Sequence, residues 1–499
     1  MPVAIRVAVA ILTAVFVGRP AIHIARTARH DTRAVAALPA NTADDASRMN
    51  ATAVHAIVDV SPDNDTAIAQ IRAAIAQARA EHLGVSVAGF RHSMGGQTIA
   101  ANGIVLDMLA HNRIELRDGG AVVRAQSGAV WRDVIRALDA AGRSVEVMQS
   151  DSPFSVGGSL SVNCHGWQHR HGPIASTVVA MTVMLPDGTV ARCSRTERPD
   201  LFAHVLGGYG LFGVILDADL RTVPNERYRA HYVACDVGTY EAVFDREARD
   251  DTSAGMAYGR ISVAPGSAFL HDAIVTTYRR EAGAIPAMRP HSGTGFARLI
   301  FRGSVGSDYG KRLRWGMERR LLPIIERGAV SRNDVLSGDI ELYVDHSAES
   351  IDVLHEYFVP RGKLAAFLDA IRPILIRERA DLLNVTVRDV DRDDTTALPY
   401  ARGDVYAVVM FFHQERSANG DAQMERLTQQ LIDAALAAGG TYYLPYRLHA
   451  TPEQLARAYP MIGAFFAEKR RVDPEGSSRT RGTGGTDVEM WSAAAMPPL

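Results

Sequence analysis

Apolar and polar positions change rhythm along this chain, and the changes mark its elements. From Ala51 the run AVHAIVDV reads as a strand, and SPDNDTAIAQIRAAIAQARA then places Ile68, Ile71 and Ile75 on one helical face with Ser61 or Asp63 as cap. Val85 to Phe90 is a second strand, IVLDM at 104–108 a third, and AVVRAQSGAVWRDVIRALDAAG a strand followed by a helix from about Trp131. Trp131 and these apolar faces are expected to be core. A strand–helix–strand unit therefore opens the ordered part of the chain.

After Pro224 the texture shifts to more Arg, more aromatics and irregular stretches such as APGS and RPHSGTG, which places a domain boundary near 225. Beyond it, strands (YRAHYVACDV, DVYAVVMFF) alternate with helices (KLAAFLDAIRPILIRER, MERLTQQLIDAALAAG), the pattern of an antiparallel sheet with helices on one face. The divisions expected are an apolar leader and linker over 1–48, a first domain over 49–225, a second over 226–440, a segment 441–476 returning to the first, and a disordered tail over 477–499. In the leader, Arg6 precedes an apolar run from Val7 to Val17, long enough for a signal-peptide core and shorter than the ~20 residues of a spanning helix. That leaves a cytoplasmic location, or membrane association or export through this segment, all open.

With 499 residues, 47% hydrophobic, the chain can bury a large core. Its net charge of -2 and the lack of a basic stripe interleaved with aromatics exclude nucleic acid as an expected partner. Three scattered cysteines give no disulfide framework.

Chemistry concentrates in two glycine-rich segments. In VSVAGFRHSMGGQ an apolar strand runs into a loop of Gly89, Arg91, His92, Ser93, Gly95, Gly96 and Gln97; small residues and turned main-chain N–H groups suit a phosphorylated ligand. In SDSPFSVGGSLSVNCHGWQHRHG, Gly157, Gly158, Ser159 and Ser161 let main chain lie against a flat ring. This segment also gathers Cys164, His165, His169 and His171, all possible metal ligands, in a spacing that matches no regular zinc pattern. Gly208, Gly210 and Gly213 spell GxGxxG, but a helical DLFAHVL precedes them and a strand-like VILDADL follows, the reverse of a nicotinamide-binding turn.

The order GFRHSMGGQ resembles the pyrophosphate loop of the vanillyl-alcohol oxidase and p-cresol methylhydroxylase flavoproteins, the PCMH-type FAD-binding family, nearest its sugar-alcohol, aldonolactone and cytokinin oxidase branches. SVGGSLSVNCHG resembles that family's second flavin segment, and GLFGVI its flavin-contacting turn. The resemblance implies an α+β fold, a PCMH-type FAD domain with an antiparallel-sheet substrate domain, and FAD as cofactor. It carries over Gly89, Arg91, His92, Ser93, Gly95, Gln97, Asp151, Ser155, Gly158, Ser161 and His165 as cofactor contacts, with the main chain of Val214 and Ile215. His92 stands where related branches bond the flavin covalently. Arg388 and His413 are the implied catalytic residues, Thr386 stands where an ExRxV strand has its Glu, and Tyr443 and Tyr446 are implied to close the site.

The activity implied is oxidation of an alcohol-type donor, a polyol or sugar lactone, by hydride transfer to flavin N5, with oxygen or another electron acceptor. Cytokinin-dehydrogenase-like amine oxidation is the alternative, as is a flavin-binding electron-transfer protein. No metal is expected, and membrane contact only through the leader.

Overall fold

The computed structural model describes residues 18–30, 37–289 and 294–479. Residues 1–17, which hold most of the apolar leader, and 480–499 lie outside the described residues.

The described residues open with a helix, Arg19–His30, followed by a small hairpin of β1 (Thr42–Ala43) and β2 (Thr52–Ala53). Neither belongs to a featureless linker: Asp45 accepts from the Ser47 N–H and hydroxyl and from the Asn50 amide, a turn that the Asp/Asn/Ser composition of 41–50 encodes. Next come β3 (Ala56–Asp59), β4 (Val85–Ala88) and β5 (Ile104–Asp107), a parallel sheet in the order β3-β5-β4. The crossover helix Asn64–Ala80 is capped by Asp63, whose side chain accepts from the Thr66 N–H, and it buries Ile71 and Ile75 against this sheet.

A six-stranded sheet follows, in the order β10-β9-β11-β7-β6 with β8 on β11: β6 (Ile114–Arg117), β7 (Val122–Gln126), β8 (Arg143–Val145), β9 (Val178–Met184), β10 (Val190–Ser194) and β11 (Val214–Pro224). The helix Trp131–Asp139 starts where its amphipathic pattern does, and Trp131 is fully buried. At the GxGxxG stretch the helix Pro199–Val205 precedes and β11 follows.

β11 ends at Pro224 and an eight-stranded antiparallel sheet begins at Arg227: β12 (Arg227–Asp236), β13 (Ala254–Ile261), β14 (Asp272–Arg280), β15 (Val330–Ser331), β16 (Ser350–Pro360), β17 (Asp381–Val390), β18 (Val405–Glu415) and β19 (Thr441–Tyr442), in the order β15-β12-β14-β13-β17-β18-β16-β19. The fold is α+β. Strand alternation gives this sheet two different faces. Val353, Tyr357, Val385, Val387, Met410 and Phe412 are buried in a core that includes the helices Leu364–Arg377 and Ala418–Ala437. The alternate positions, among them Glu356, Thr386, Arg388 and Phe411, line a cavity instead.

The end of the described chain also departs from expectation. Ser477 to Arg479 are not a free tail: Val85 donates to the Ser477 carbonyl and Arg479 to that of Val85, extending the parallel sheet beyond β4. A Ser/Arg/Gly-rich composition reads as disorder, yet two backbone hydrogen bonds to a sheet edge are enough to place these residues.

Candidate active site

The cavity, about 1230 Å³, lies between the loop after β4, the segment 149–167 and the open face of the large sheet. Its inner wall is built by the two glycine-rich segments. Gly89 follows β4, and a Cβ there would overlap the Ser155 hydroxyl, so only glycine lets the two segments meet. Arg91 takes a left-handed φ of 54° and its guanidinium reaches Asp107 at 2.8 Å. Hydrogen bonds then fix the loop from outside. Ala46 donates to the Arg91 carbonyl, Met94 to that of Pro445, Gly95 to Gln97 Oε1 at 3.0 Å and Gly96 to Asp45 Oδ2 at 2.7 Å.

The N–H groups of Arg91, His92 and Ser93 have no acceptor among the described residues. Three successive free donors around a left-handed residue are the makings of an anion-binding nest. Two expected cofactor contacts are thereby corrected. Gly95 does not line the cavity, and its Cβ would strike the Tyr446 carbonyl and the Gln97 amide. Gln97 borders the cavity, but its amide is spent on the carbonyls of Leu444 (2.9 Å) and Tyr446 (3.1 Å) and on Gly95. Both residues fasten the loop to the returning segment rather than offering groups to a ligand.

His92 lies between Phe90 (ring centroids 5.1 Å, nearly parallel) and Phe154 (4.3 Å). One ring nitrogen bonds the Pro153 carbonyl while Nε2 is buried without a partner, and burial pulls its pKa down to about 4. The imidazole is therefore neutral with a free Nε2 at the cavity wall. The Ser93 and Thr98 hydroxyls are likewise buried and unpaired there. Ser155, Gly158 and Ser161 line the opposite side. Of the expected pair on β11, Ile215 lines the cavity with Gly213, whereas Val214 points into the core beneath the crossover helix. Adjacent strand residues point their side chains opposite ways, which concerns the Val214 side chain and not the main-chain contact expected of it.

Deeper in, polar groups converge. The Arg388 guanidinium donates to the His165 carbonyl (3.1 Å) and the Ser150 hydroxyl (3.0 Å), and its Nε is buried without a partner. It forms no ion pair with a carboxylate among the described residues, so its charge is left for the cavity. Asp151 accepts from the Ser150 hydroxyl at 3.0 Å, and burial raises its pKa despite the nearby Arg388. His165 Nε2 is 2.6 Å from Glu356 Oε1, both side chains almost wholly buried. Burial, which alone would raise the Glu356 pKa, is outweighed by His165, Arg388 and the Tyr446 hydroxyl, leaving a carboxylate; burial holds His165 below its ordinary value and neutral. Glu356 went unseen in the sequence, where its signal is one of two acids, with Asp352, inside the largely apolar strand SIDVLHEYFVP.

Tyr443 and Tyr446 border the cavity, the former donating to the Val162 carbonyl at 2.8 Å. His413, by contrast, does not line the cavity, although Asp352, its partner, does. It shares the cavity-facing parity of β18 with Val409 and Phe411, but sits opposite Asp352 near the strand's end. There Nδ1 is 2.7 Å from Asp352, and these carboxylates raise its pKa against the pull of burial. Arg302 pairs with both Asp345 and Asp352, so the one triad of potential metal ligands among the described residues already encloses a cation. Cys164, His165, His169 and His171 do not converge: His165 faces Glu356, His171 faces Glu146, and the buried Cys164 thiol is pushed up to about 12.

The outer chamber is of another kind. Trp167 stacks on Tyr258 (4.5 Å, 21°), and Phe301 meets Tyr343 edge-on (5.0 Å). The charges among them are already matched: Glu318 holds Arg260 at 2.8 Å and Arg314 at 2.9 Å, and Arg314 also donates to the Leu383 carbonyl and Asn384.

The size of the cavity, the free N–H triplet and the unpaired His92, Ser93, Thr98 and Arg388 atoms fit FAD. Comparison with known proteins agrees. A family model described as "FAD binding domain" matches residues 65–194. The chain is 28% identical over 441 residues to cytokinin dehydrogenase 2 of Oryza sativa subsp. japonica, covering 74% of this chain and 75% of the relative. It is 34% identical over 181 residues to cytokinin dehydrogenase 1 of the same plant (35% and 34% covered), and 31% over 160 residues to L-gulonolactone oxidase of Mus musculus (32% and 36%). The last two alignments span about a third of each relative's length. The protein is thus an FAD-dependent oxidoreductase built on a PCMH-type FAD-binding domain.

Proposed function

We propose that this enzyme dehydrogenates an amine donor with a flat, largely apolar body, in the manner the name cytokinin dehydrogenase describes, rather than a polyol or sugar lactone. The observation that carries this is the outer chamber: Trp167, Tyr258, Phe301 and Tyr343 form it, while Arg260, Glu318 and Arg314 satisfy one another. A polyol binds tightly only where several unpaired polar groups await its hydroxyls, because each one buried without a partner costs about 1–3 kcal/mol. A flat aromatic donor gains from the same walls by stacking.

When bound, FAD supplies the hydride acceptor. The chain's own groups do the rest. Asp151, a cavity carboxyl whose pKa burial raises, takes the proton from the donor nitrogen as the C–H bond breaks. Arg388 sets a fixed positive charge in the cavity, with Nε free for a developing negative charge. Glu356 and His165 hold the floor: the His165 carbonyl is what Arg388 grips. The donor reading is tested by anaerobic loss of the flavin absorbance with a panel of flat secondary amines beside polyols and aldonolactones. Bleaching by amines supports it, and bleaching by lactones or polyols alone overturns it.

His92 is proposed to bond the flavin covalently, supported by its neutral ring and its unpartnered Nε2 at the cavity wall. Acid-precipitated protein should remain yellow and fluorescent on a denaturing gel, and His92→Ala should release its FAD to the supernatant. A colourless wild-type pellet reduces His92 to a noncovalent contact.

A further inference from the structure

We propose that the mouth of the cavity docks on an anionic lipid bilayer, placing the entrance of the outer chamber against the membrane surface. The inference rests on the placement of apolar and basic side chains and is independent of which donor the enzyme oxidises.

Three residues that line the cavity are also widely open to solvent: Phe296 (58% exposed), Leu321 (42%) and Ile325 (71%). They belong to the helices Thr294–Arg302 and Leu322–Ile325 and to the residue that joins the latter to the helix Asp308–Arg320. Ile324, 55% exposed, extends the patch. Large apolar side chains scattered singly over a surface need no explanation, but several gathered on one rim do. A substrate entrance by itself needs no outward-facing Ile324, which does not line the cavity.

The second observation is the neighbouring helix Arg19–His30. It packs on the helix Thr294–Arg302 and on the turn after it: His23 Nε2 bonds the Gly303 carbonyl at 2.7 Å, and Arg19 lies over the Tyr309 ring. With that face occupied, the outward face carries Ile22 (57% exposed), Arg26 and Arg29, and the helix contains no acid. Basic side chains beside an apolar rim match the chemistry of a phospholipid surface, where arginines meet phosphates and aliphatic side chains enter the acyl boundary. A second copy of this chain is the rival occupant. The basic helix disfavours it, because a two-fold pairing would bring like charges together.

The test is flotation of the full-length holoenzyme with phosphatidylcholine vesicles prepared with and without phosphatidylglycerol. Binding to the anionic vesicles is expected, and it should fall at high salt as surface charges are screened. Ile324→Asp with Ile325→Asp should lower the vesicle-bound fraction about tenfold, as should Arg26→Glu with Arg29→Glu, since each change removes apolar burial or reverses headgroup attraction. A second readout separates docking by this rim from binding through the leader: the fluorescence added by Ile325→Trp should be quenched by brominated acyl chains. The proposal is overturned if both double variants float like the wild type and the added tryptophan is not quenched. It is also overturned if sedimentation shows a dimer that the isoleucine variants dissociate while the wild type ignores vesicles.

Discussion

The two walls of one cavity are built on opposite rules. On the inner wall, three consecutive N–H groups, the Ser93 hydroxyl, His92 Nε2 and Arg388 Nε have no partner among the described residues. In the outer chamber Glu318 is shared between Arg260 and Arg314, and aromatic side chains such as Trp167, Tyr258, Phe301 and Tyr343 supply much of the lining. Unpaired buried polar atoms are costly, so their accumulation marks the place a polar cofactor fills. Paired charges behind aromatic rings mark a place that asks its ligand for shape and stacking instead. On the reading proposed above, the inner wall fixes the chemistry and the outer wall selects the donor.

Variants can break this division. The largest effect is expected at Arg388: Arg388→Ala should slow anaerobic flavin reduction by roughly 10²–10³-fold, the scale of losing one preorganised electrostatic group, with FAD content unchanged. Loss of FAD instead would make Arg388 a cofactor anchor. Next comes Asp151, where Asp151→Asn should cost about 10²-fold as a proton acceptor is lost. Burial raises this pKa, so the competent carboxylate appears only as pH rises through the raised value. The reduction rate should accordingly show an acidic limb above the ordinary carboxylate value of about 4, absent in Asp151→Asn. A limb that persists in the variant would assign it elsewhere. The smallest effect belongs to His413: His413→Asn should leave the reduction rate within about twofold, as expected of a group outside the reacting site, while lowering thermal stability.

That sign also follows from charge. The His413 pKa is raised in the folded chain by Asp352, Asp381 and Asp345, so its contribution to stability is full below the ordinary histidine value and is lost as pH rises through the raised one. Wild type and His413→Asn should thus differ in thermal stability at pH 5 and converge at alkaline pH.

What was legible in the sequence follows the same division. The inner wall rests on contiguous segments, and glycine, small residues and strand–loop order expose it, so Gly89, His92, Ser155 and Ser161 were identifiable from their own neighbours. The outer wall is assembled from single residues far apart in the chain, such as Tyr258 of β13, Phe411 of β18, and Trp167 and Tyr343 from loops. Arg388 came from the resemblance of its strand to an ExRxV strand, to which strand alternation adds only an inward face. Alternation gave no register, and this is why His413 was misplaced: it has the inward parity of Phe411 but lies one rung too far along β18. Glu356 was hidden for a related reason, since its partner His165 is on another domain's loop and only the fold brings them to 2.6 Å. Gly95 and Gln97 look like ligand contacts in any glycine-rich loop; that they serve the returning segment at 444–446 is a long-range fact.

The central claim is that the aromatic chamber chooses the donor, and it is tested most directly by stopped-flow flavin reduction without oxygen. The same holoenzyme, wild type and Trp167→Ala, is offered an N6-alkenyl adenine and an aldonolactone. The account predicts that the wild type favours the amine, and that the variant loses about tenfold of that preference, the worth of one aromatic contact, with FAD content and the slow lactone rate unchanged. A wild type that reduces faster with the lactone, or a preference that Trp167→Ala leaves intact, would contradict it.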